Sequence, residues 1–249
     1  MSAKRVLSWS YINTQNNPDA INAVNFSSPM SAVYNWEAWT PPELNGRLPF
    51  QPMCHGKERI DCKDPNWLNV KQNASDLTIH FLNEPERANT TPEQAVDLWR
   101  EHMLPLRMRN NKLVSPACAS DDAGITWISQ FLGLIGPDER PDITGAHWYG
   151  ESADEMRAYL SRLHGLQPDS PVIVTEWACT SRDYQKVLTF TVDACNWLDL
   201  TDWIYQHALF GATPTPVDDF VSPAAQLMNP DGSFTDLMYK YMYDLPMHT

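Results

Sequence analysis

Two stretches of the sequence decide the fold: LTIHFLNEP at residues 77–85 and PVIVTEW at residues 171–177. Each is a short apolar run with several β-branched residues, which is typical of a buried strand. Each run ends in a glutamate, Glu84 or Glu176, and Pro85 forces the chain out of the first strand. Both carboxylates are therefore expected where buried strands end.

Similar apolar runs recur along the chain and alternate with segments of helical periodicity, which is typical of strand–helix units. Four helices are indicated: one runs from Thr91 through Met103, one begins at Ser152 and stops at Gly165, and two occupy residues 181–198 and 234–242. Eight strands are predicted at residues 5–10, 32–36, 48–53, 77–82, 112–117, 143–148, 172–175 and 203–206.

Eight such units in 249 residues suit an α/β fold of the (β/α)8 TIM-type barrel, in a single compact domain over residues 1–249. Pro41, Pro42 and Gly46 predict a loop with little helix between the second and third strands. An open doubly wound sheet is the alternative. It is less favoured because no glycine-rich phosphate turn follows any strand.

Charge and composition narrow the possible partners. The net charge of −13 and the pI of about 4.8 disfavour nucleic-acid binding, because an acidic surface repels phosphate backbones. The sequence contains no long apolar run, so no membrane span is expected. Ten tryptophans suggest either core filling or stacking on flat ligands such as sugar rings.

Cysteines and sequons bear on localisation. The five cysteines are Cys54, Cys62, Cys118, Cys179 and Cys195; a bridge from Cys54 to Cys62 is one possibility, and the pairing stays open. Sequons at Asn25, Asn73 and Asn89 support a secretory route. The chain enters its first strand at once, so either a signal peptide was removed or the protein is not secreted.

Two glutamates at the ends of parallel barrel strands are what a retaining glycosidase needs, with the carboxyl groups about 5 to 5.5 Å apart. Glu84 would protonate the glycosidic oxygen, and Glu176 would attack the anomeric carbon. The structural alternatives are a helix-capping role for Glu84 and an ion pair with a barrel arginine or lysine for Glu176.

Polar and aromatic residues at the other strand ends are candidates for sugar binding. Tryptophans could stack on sugar rings, asparagine and glutamate could bind hydroxyls, and a histidine or tyrosine could orient the nucleophile. His147 could instead be a core histidine, and Tyr149 could simply pack at the rim. The candidates are Asn83, Trp36, Asn35, His147, Trp148, Tyr149, Trp177, Trp9 and Glu37.

Cofactor chemistry has little support. His55 beside Cys54 would need further ligands to bind zinc, and Cys62 alone does not complete a site, so no metal and no cofactor are expected. The motifs of serine hydrolases, zinc proteases and P-loop enzymes are absent from the sequence. Asp121, Asp122 and Trp127 could border a cleft, although a solvated loop is favoured for the two acids.

The segments FLNEP (81–85), HWYG (147–150) and TEWAC (175–179), with YNW (34–36) and PMCHG (52–56), together resemble glycoside hydrolase family 128. This family comprises small fungal and bacterial β-1,3-glucanases, and the resemblance extends from Trp9 to about Phe210. It implies an (α/β)8-type barrel, a β-1,3-glucan substrate and a retaining double displacement. It also implies Glu84 as acid/base, Glu176 as nucleophile and Asn83 as a contact to the sugar 2-hydroxyl.

The leading hypothesis is a monomeric, metal-independent β-1,3-glucanase that is secreted or associated with a fungal cell wall. Its partners would be β-1,3-glucan oligosaccharides and polysaccharides. One alternative is a glucan-binding protein of the same fold with little turnover. Another is a retaining barrel glycosidase that acts on a different β-linked glycan. Exo and endo action both remain open at this point.

Overall fold

The computed structural model describes residues 3–27, 29–61 and 63–249, in which eight strands and eight α-helices alternate along most of the chain. The strands are β1 (Arg5–Ser8), β2 (Met30–Tyr34), β3 (Met53–Cys54), β4 (Thr78–Phe81), β5 (Lys112–Leu113), β6 (Thr144–Gly150), β7 (Val172–Cys179) and β8 (Ile204–Leu209). The helices are α1 (Tyr11–Asn16), α2 (Lys57–Asp61), α3 (Pro65–Asn73), α4 (Pro92–Leu98), α5 (Asp122–Leu134), α6 (Ala153–His164), α7 (Tyr184–Leu200) and α8 (Asp236–Tyr243).

The strands form two parallel sheets, one with the order β2-β1-β8-β7-β6 and one with the order β3-β4-β5. Isolated parallel bridges lie where the sheets approach each other: Val33 pairs with Phe50 on one side, and Val114 pairs with Ile143 on the other. The predicted α/β class and parallel arrangement are confirmed. Since all strands run in the same direction, their carboxyl ends lie on one side of the molecule.

Two predicted strands contain only two residues each. The third contains only Met53–Cys54 rather than residues 48–53, and the fifth contains only Lys112–Leu113 rather than residues 112–117. Prolines explain both differences, because Pro49, Pro52 and Pro116 have no N–H group to donate to a neighbouring strand.

The predicted helices are confirmed with changes at their ends. Thr91 caps α4 through a capping box, but the helix changes after Leu98 to a wider π turn at Trp99–Met103 and then to a 3₁₀ turn at Leu104–Arg109. The helix expected from residue 181 begins at Tyr184, because the Asp183 side chain caps it.

Helix α5 was not predicted, although it buries one full face. Asp121 caps it, and Gly124 lies so close to the carbonyl of Ala119 that a Cβ would stand 2.0 Å from that oxygen. Two glycines and several β-branched residues weaken the helical signal of this segment, so packing decides its conformation.

One large cluster of buried side chains runs through the sheets and the helices, which is consistent with a single domain. Trp9, Trp67, Trp99 and Trp177 are fully buried within it, so these tryptophans fill the core. Among the described residues, no helix combines the length and the apolar character that a membrane crossing requires.

A buried ion pair joins the first strand to the last two helices. Arg5, fully buried at the start of β1, donates to Asp199 Oδ2 at 2.7 Å and to the Tyr241 carbonyl at 2.6 Å. His207 Nε2 lies 3.0 Å from Asp199 Oδ1. Because Arg5 already neutralises this carboxylate, the neighbouring Cys195, Asp199 and His207 form a structural network rather than a cation site.

The cysteines Cys54, Cys118, Cys179 and Cys195 are buried free thiols. Cys62, the partner considered for Cys54, lies outside the described residues. Burial raises the pKa of the Cys54 and Cys195 thiols well above the ordinary range, so these side chains behave as small apolar residues.

Candidate active site

Glu84 follows β4, as predicted, whereas Glu176 lies within β7, which continues past the predicted end at residue 175 to Cys179. Glu176 belongs to β7 and pairs in register with His147 of β6. Glu84 follows β4, and its backbone N–H donates to the carbonyl of Ala117 at 2.8 Å. Leu82 and Glu84 have φ values of 48° and 40°, and such left-handed conformations of bulky residues concentrate at functional sites.

His147 connects the two carboxylates. Its Nδ1 lies 3.0 Å from Glu84 Oε1, and its Nε2 lies 3.5 Å from Glu176 Oε1. The imidazole is fully buried and does not line the cleft. The predicted sugar contact of His147 is therefore replaced by a contact with both carboxylates.

Two further donors fix Glu176. Trp36 Nε1 donates to Oε1 at 2.6 Å, and the Tyr149 hydroxyl donates to Oε2 at 2.7 Å. Burial, and then the charge of Glu176, raise the pKa of Tyr149 well above its ordinary value, so the hydroxyl keeps its proton. Phe210 packs edge-on against the rings of Trp36 and Tyr149 and supports both donors.

Glu84 is the more accessible carboxylate, with a side chain that is 23% exposed. Arg87 Nε lies 3.5 Å from Glu84 Oε2, and another nitrogen of Arg87 lies 3.1 Å from Asp121. Burial raises the pKa of Glu84, but the hydrogen bond and charge of His147, together with Arg87, bring it below its ordinary value. His147 and Arg87 therefore favour the anionic form of Glu84.

Both glutamates face an open cleft of about 1170 Å³. The predicted residues Trp36, Glu37, Asn83 and Tyr149 also line it. The Asn83 side-chain oxygen is buried without a hydrogen-bond partner in the described residues. Further lining residues, which the sequence did not single out, include Tyr11, Arg59, Arg87, Phe210 and Phe220.

Glu37 has a charged neighbour that the sequence did not reveal. Its Oε1 accepts from Arg59 at 2.9 Å, and Arg59 also reaches Asp64 at 3.1 Å. Arg59 and Glu37 thus place a paired cation and anion in the wall of the cleft. Their separation in sequence explains why only the tertiary structure identifies the pair.

Three predicted tryptophans do not reach the cleft. Trp9 is fully buried and donates to Glu43 at 2.8 Å, and Trp177 is fully buried against Phe190 and His207. Trp148 packs against Tyr159. Adjacent strand residues point to opposite faces, so Trp148 and Trp177 turn into the core where their neighbours His147 and Glu176 turn towards the site.

Asn35 is also fully buried and has a structural role instead of the predicted sugar contact. Its side-chain nitrogen donates to the Trp39 carbonyl at 3.2 Å, and its oxygen accepts from the Glu37 N–H at 3.1 Å. These bonds shape the turn after β2, where Trp36 has a φ of 63°. Asn35 therefore positions Trp36 and Glu37.

Three other residues that the sequence suggested near the site are divided between the cleft and the core. His55 lines the cleft and pairs loosely with Glu58 at 3.7 Å. Asp121 also lines the cleft while capping α5. Trp127 is buried and donates to the Thr90 carbonyl, so it does not border the cleft.

Comparison with known proteins gives the family of the chain. A family model described as a glycosyl hydrolase catalytic core matches residues 7–241. Comparison with curated proteins gives no match. The chain is thus similar to a known enzyme core over most of its length.

Solved structures of family 128 resemble the chain over almost its full length. A subgroup VI exo-β-1,3-glucanase from Aureobasidium namibiae is 50% identical, with a TM-score of 0.95 and coverage of 100% of this chain and 99% of that one. A subgroup V exo-β-1,3-glucanase from Cryptococcus neoformans is 26% identical, with a TM-score of 0.78 and coverage of 96% and 98%. A subgroup IV endo-β-1,3-glucanase from Lentinula edodes is 25% identical, with a TM-score of 0.80 and coverage of 98% and 100%. The chain therefore belongs to glycoside hydrolase family 128.

Proposed function

We propose that this protein hydrolyses β-1,3-glucan with retention of configuration, with Glu176 as nucleophile and Glu84 as acid/base. One observation carries the proposal: a single buried imidazole contacts both carboxylates at one open cleft. Retaining glycosidases require two such carboxyl groups close together, one to attack and one to transfer a proton.

The contacts favour this division of roles. Glu176 is less exposed and accepts hydrogen bonds from Trp36 and Tyr149, so its oxygens are held in place for attack on the anomeric carbon. Glu84 is more accessible and would protonate the leaving oxygen. It would then remove a proton from the water that releases the sugar.

The β-1,3 linkage is proposed from the family relatives together with the cleft. Aromatic side chains such as Phe210 and Phe220 line it and offer apolar surface to sugar rings. Asn83 is proposed to bind a hydroxyl of the substrate, and the proposal is supported by its buried side-chain oxygen, which has no partner among the described residues. Exo action is the expected mode, since the relative that is 50% identical is an exo-β-1,3-glucanase.

We also infer that the two parallel sheets form one closed (β/α)8 barrel. The single bridges from Val33 to Phe50 and from Val114 to Ile143 support closure on both sides. The protein is further proposed to act as a monomer without a cofactor, outside the cell or at the cell wall. Nucleic acids and membranes are not expected among its partners.

The test is reducing-sugar release from a soluble β-1,3-glucan by the wild type, Glu84→Gln and Glu176→Gln. Only the wild type should release sugar, and proton NMR of the first product should detect the β-anomer. A first product with the α-anomer would refute retention. Products of one short length would support exo action, and mixed lengths would support endo action.

Two outcomes would replace the proposal. Tight glucan binding with equally negligible release by all three proteins would identify a glucan-binding protein. Release from β-1,4-glucan or mannan, but not from β-1,3-glucan, would identify a retaining glycosidase for another linkage.

A further inference from the structure

The contacts of Glu84 conflict with its proposed role. A general acid must carry a proton when the leaving oxygen departs. Burial raises the pKa of Glu84, but the hydrogen bond and charge of His147, together with the charge of Arg87, hold it below its ordinary value. His147 is the neighbour that can hold the proton that the first step needs, because its Nδ1 lies 3.0 Å from Glu84 Oε1.

We propose that His147 stores, on Nδ1, the proton that Glu84 delivers to the leaving sugar oxygen, so that the general acid is the Glu84–His147 pair. This inference rests on the proposed function of the two glutamates. His147 acts through Glu84 and is a positioning residue, because its ring does not line the cleft.

The geometry around His147 places a proton between the ring and Glu84. Nδ1 lies 3.0 Å from Glu84 Oε1, and two lone pairs facing each other at this distance repel, so a proton lies between these two atoms. Nε2 lies 3.5 Å from Glu176 Oε1 and has no hydrogen-bond partner among the described residues, so this contact is electrostatic. A proton on Nε2 keeps a lone pair from facing the Glu176 carboxylate, and the ring is fully buried from bulk water.

The surrounding charges agree with the geometry. Burial lowers the pKa of His147, but the charge of Glu176, the hydrogen bond and charge of Glu84, and the charge of Glu86 raise it above its ordinary value overall. His80 is the nearby competing base, and burial, followed by the charge of His147, lowers its pKa to about 3. His80 therefore stays neutral and leaves the proton on His147.

The hydroxyl and guanidinium groups around the carboxylates do not compete for this proton. Burial, and then the charges of Glu176 and Glu84, raise the pKa of Tyr34 well above its ordinary value. The pKa of Tyr149 is raised in the same way by burial and Glu176. Arg87 lies beside Glu84 and pairs with Asp121, and a guanidinium offers only hydrogen-bond donors.

Substrate binding would transfer the proton from His147 Nδ1 to Glu84. A sugar in the cleft removes water from the exposed part of Glu84, and desolvation favours a neutral pair over an ion pair. The Nδ1–H bond of His147 breaks, and an O–H bond forms at Glu84 Oε1. The ring keeps its Nε2–H, which still faces Glu176. Rotation of the Glu84 carboxyl group, whose terminal torsion is soft, brings the proton to the cleft.

Bonds and protons balance in the two chemical steps that follow. In the first, Glu176 bonds to the anomeric carbon, the glycosidic C–O bond breaks, and the Glu84 proton passes to the leaving oxygen. In the second, water attacks the anomeric carbon, and its proton passes to Glu84 and back to His147 Nδ1. The bond to Glu176 breaks, and its electrons return to the carboxylate.

The direct test is the charge of His147 in the free enzyme. Imidazole ¹⁵N shifts of histidine-labelled protein would be followed from about pH 4 to 9, with His147→Asn identifying the signal among the seven histidines. His147 should remain cationic beyond the ordinary histidine pKa of about 6.5. Its midpoint should fall by about one unit or more in Glu84→Gln and in Glu176→Gln. A neutral ring across this range would overturn the proposal whatever the substrate proves to be.

Kinetics test whether the stored proton is used. Wild type and His147→Asn would be compared on a β-1,3-oligoglucoside and on a dinitrophenyl β-glucoside, whose leaving group needs little protonation. Loss of proton donation should slow the oligoglucoside by about 100-fold and the activated substrate by less than about tenfold. The basic limb of kcat/KM should also move to lower pH by about one unit.

Control variants separate proton storage from packing. His102→Gln alters a histidine that contacts Lys71, outside the cleft lining, and should keep the wild-type profile. His147→Gln gives a second test if the asparagine variant does not fold. Equal losses on the two substrates, or an unmoved basic limb in a folded variant, would show that His147 only positions the carboxylates.

Discussion

Replacing Tyr149 with phenylalanine removes its hydroxyl, which is one of two side-chain donors to Glu176; the indole of Trp36 is the other. The Tyr149 hydroxyl lies 2.7 Å from Oε2, and the variant keeps the ring and its packing against Phe210. In the proposed mechanism this donor matters most when the glycosyl-enzyme breaks down. At that point negative charge returns to Glu176, and a fixed donor stabilises it.

The size of the effect follows from the kind of hydrogen bond that is lost. A hydrogen bond to a charged group contributes about 1.5 to 3 kcal/mol. At about 1.4 kcal/mol for each factor of ten, the release of the sugar should slow by roughly 10- to 150-fold. The first step should slow less, because Glu176 loses charge there.

Steady-state and stopped-flow kinetics on an aryl β-glucoside measure this directly. Tyr149→Phe should lower kcat and KM together, and a burst of aryl alcohol should precede slow turnover. Tyr243→Phe, an exposed tyrosine at the end of α8, serves as the matched control and should behave as wild type. An increase in KM with unchanged kcat would refute the reasoning, because Tyr149 would then bind substrate rather than support Glu176.

Three further predictions concern the other donor, the buried ion pair and the thiols. Trp36→Phe removes the indole N–H that lies 2.6 Å from Glu176, so kcat should again fall about tenfold or more; an unchanged kcat would exclude the indole as a support. Asp199→Asn leaves Arg5 buried without a counter-charge and should lower the free energy of unfolding by about 3 to 5 kcal/mol in urea at pH 7. Burial raises the pKa of Asp199, but the hydrogen bonds and charges of His207 and Arg5 lower it overall. Ionised Asp199 therefore stabilises the protein fully above its unfolded pKa of about 3.9, and this stabilisation is lost as the pH falls through its lower folded pKa. The difference in free energy of unfolding between variant and wild type should therefore narrow in acid. A difference that stays constant with pH would contradict this. Buried thiols such as Cys195 should react with a thiol reagent only after unfolding, and rapid labelling of Cys195 in the native protein would contradict its burial.

Local sequence determined the strands that carry the catalytic candidates. The apolar runs before Glu84 and Glu176 are strands in the structure, and the helices capped by Thr91 and Ser152 begin where their caps indicate. These features depend on neighbours within a few residues, so pattern and propensity are sufficient to find them. The segments that escaped prediction, such as α5, are those in which packing overrides propensity.

The site required more than local pattern. Local strand periodicity explains only why Glu176 faces the site while its neighbour Trp177 turns into the core. The approach of Phe210 to Tyr149, and of Arg59 to Glu37, joins residues that are distant in the chain. No spacing rule connects such residues, because their distances are fixed by the order and twist of the strands.

The sequence by itself determined that each of two carboxylates follows an apolar run that forms a strand of an α/β fold, because the formation of a strand is a local property of the chain. Only the tertiary structure decided that His147 lies between Glu84 and Glu176, and that Trp36 and Tyr149 both donate to Glu176. These contacts exist because parallel strands bring their carboxyl ends to one side of the molecule. The proton-holding chemistry of the site therefore belongs to the assembled strands and not to any one segment.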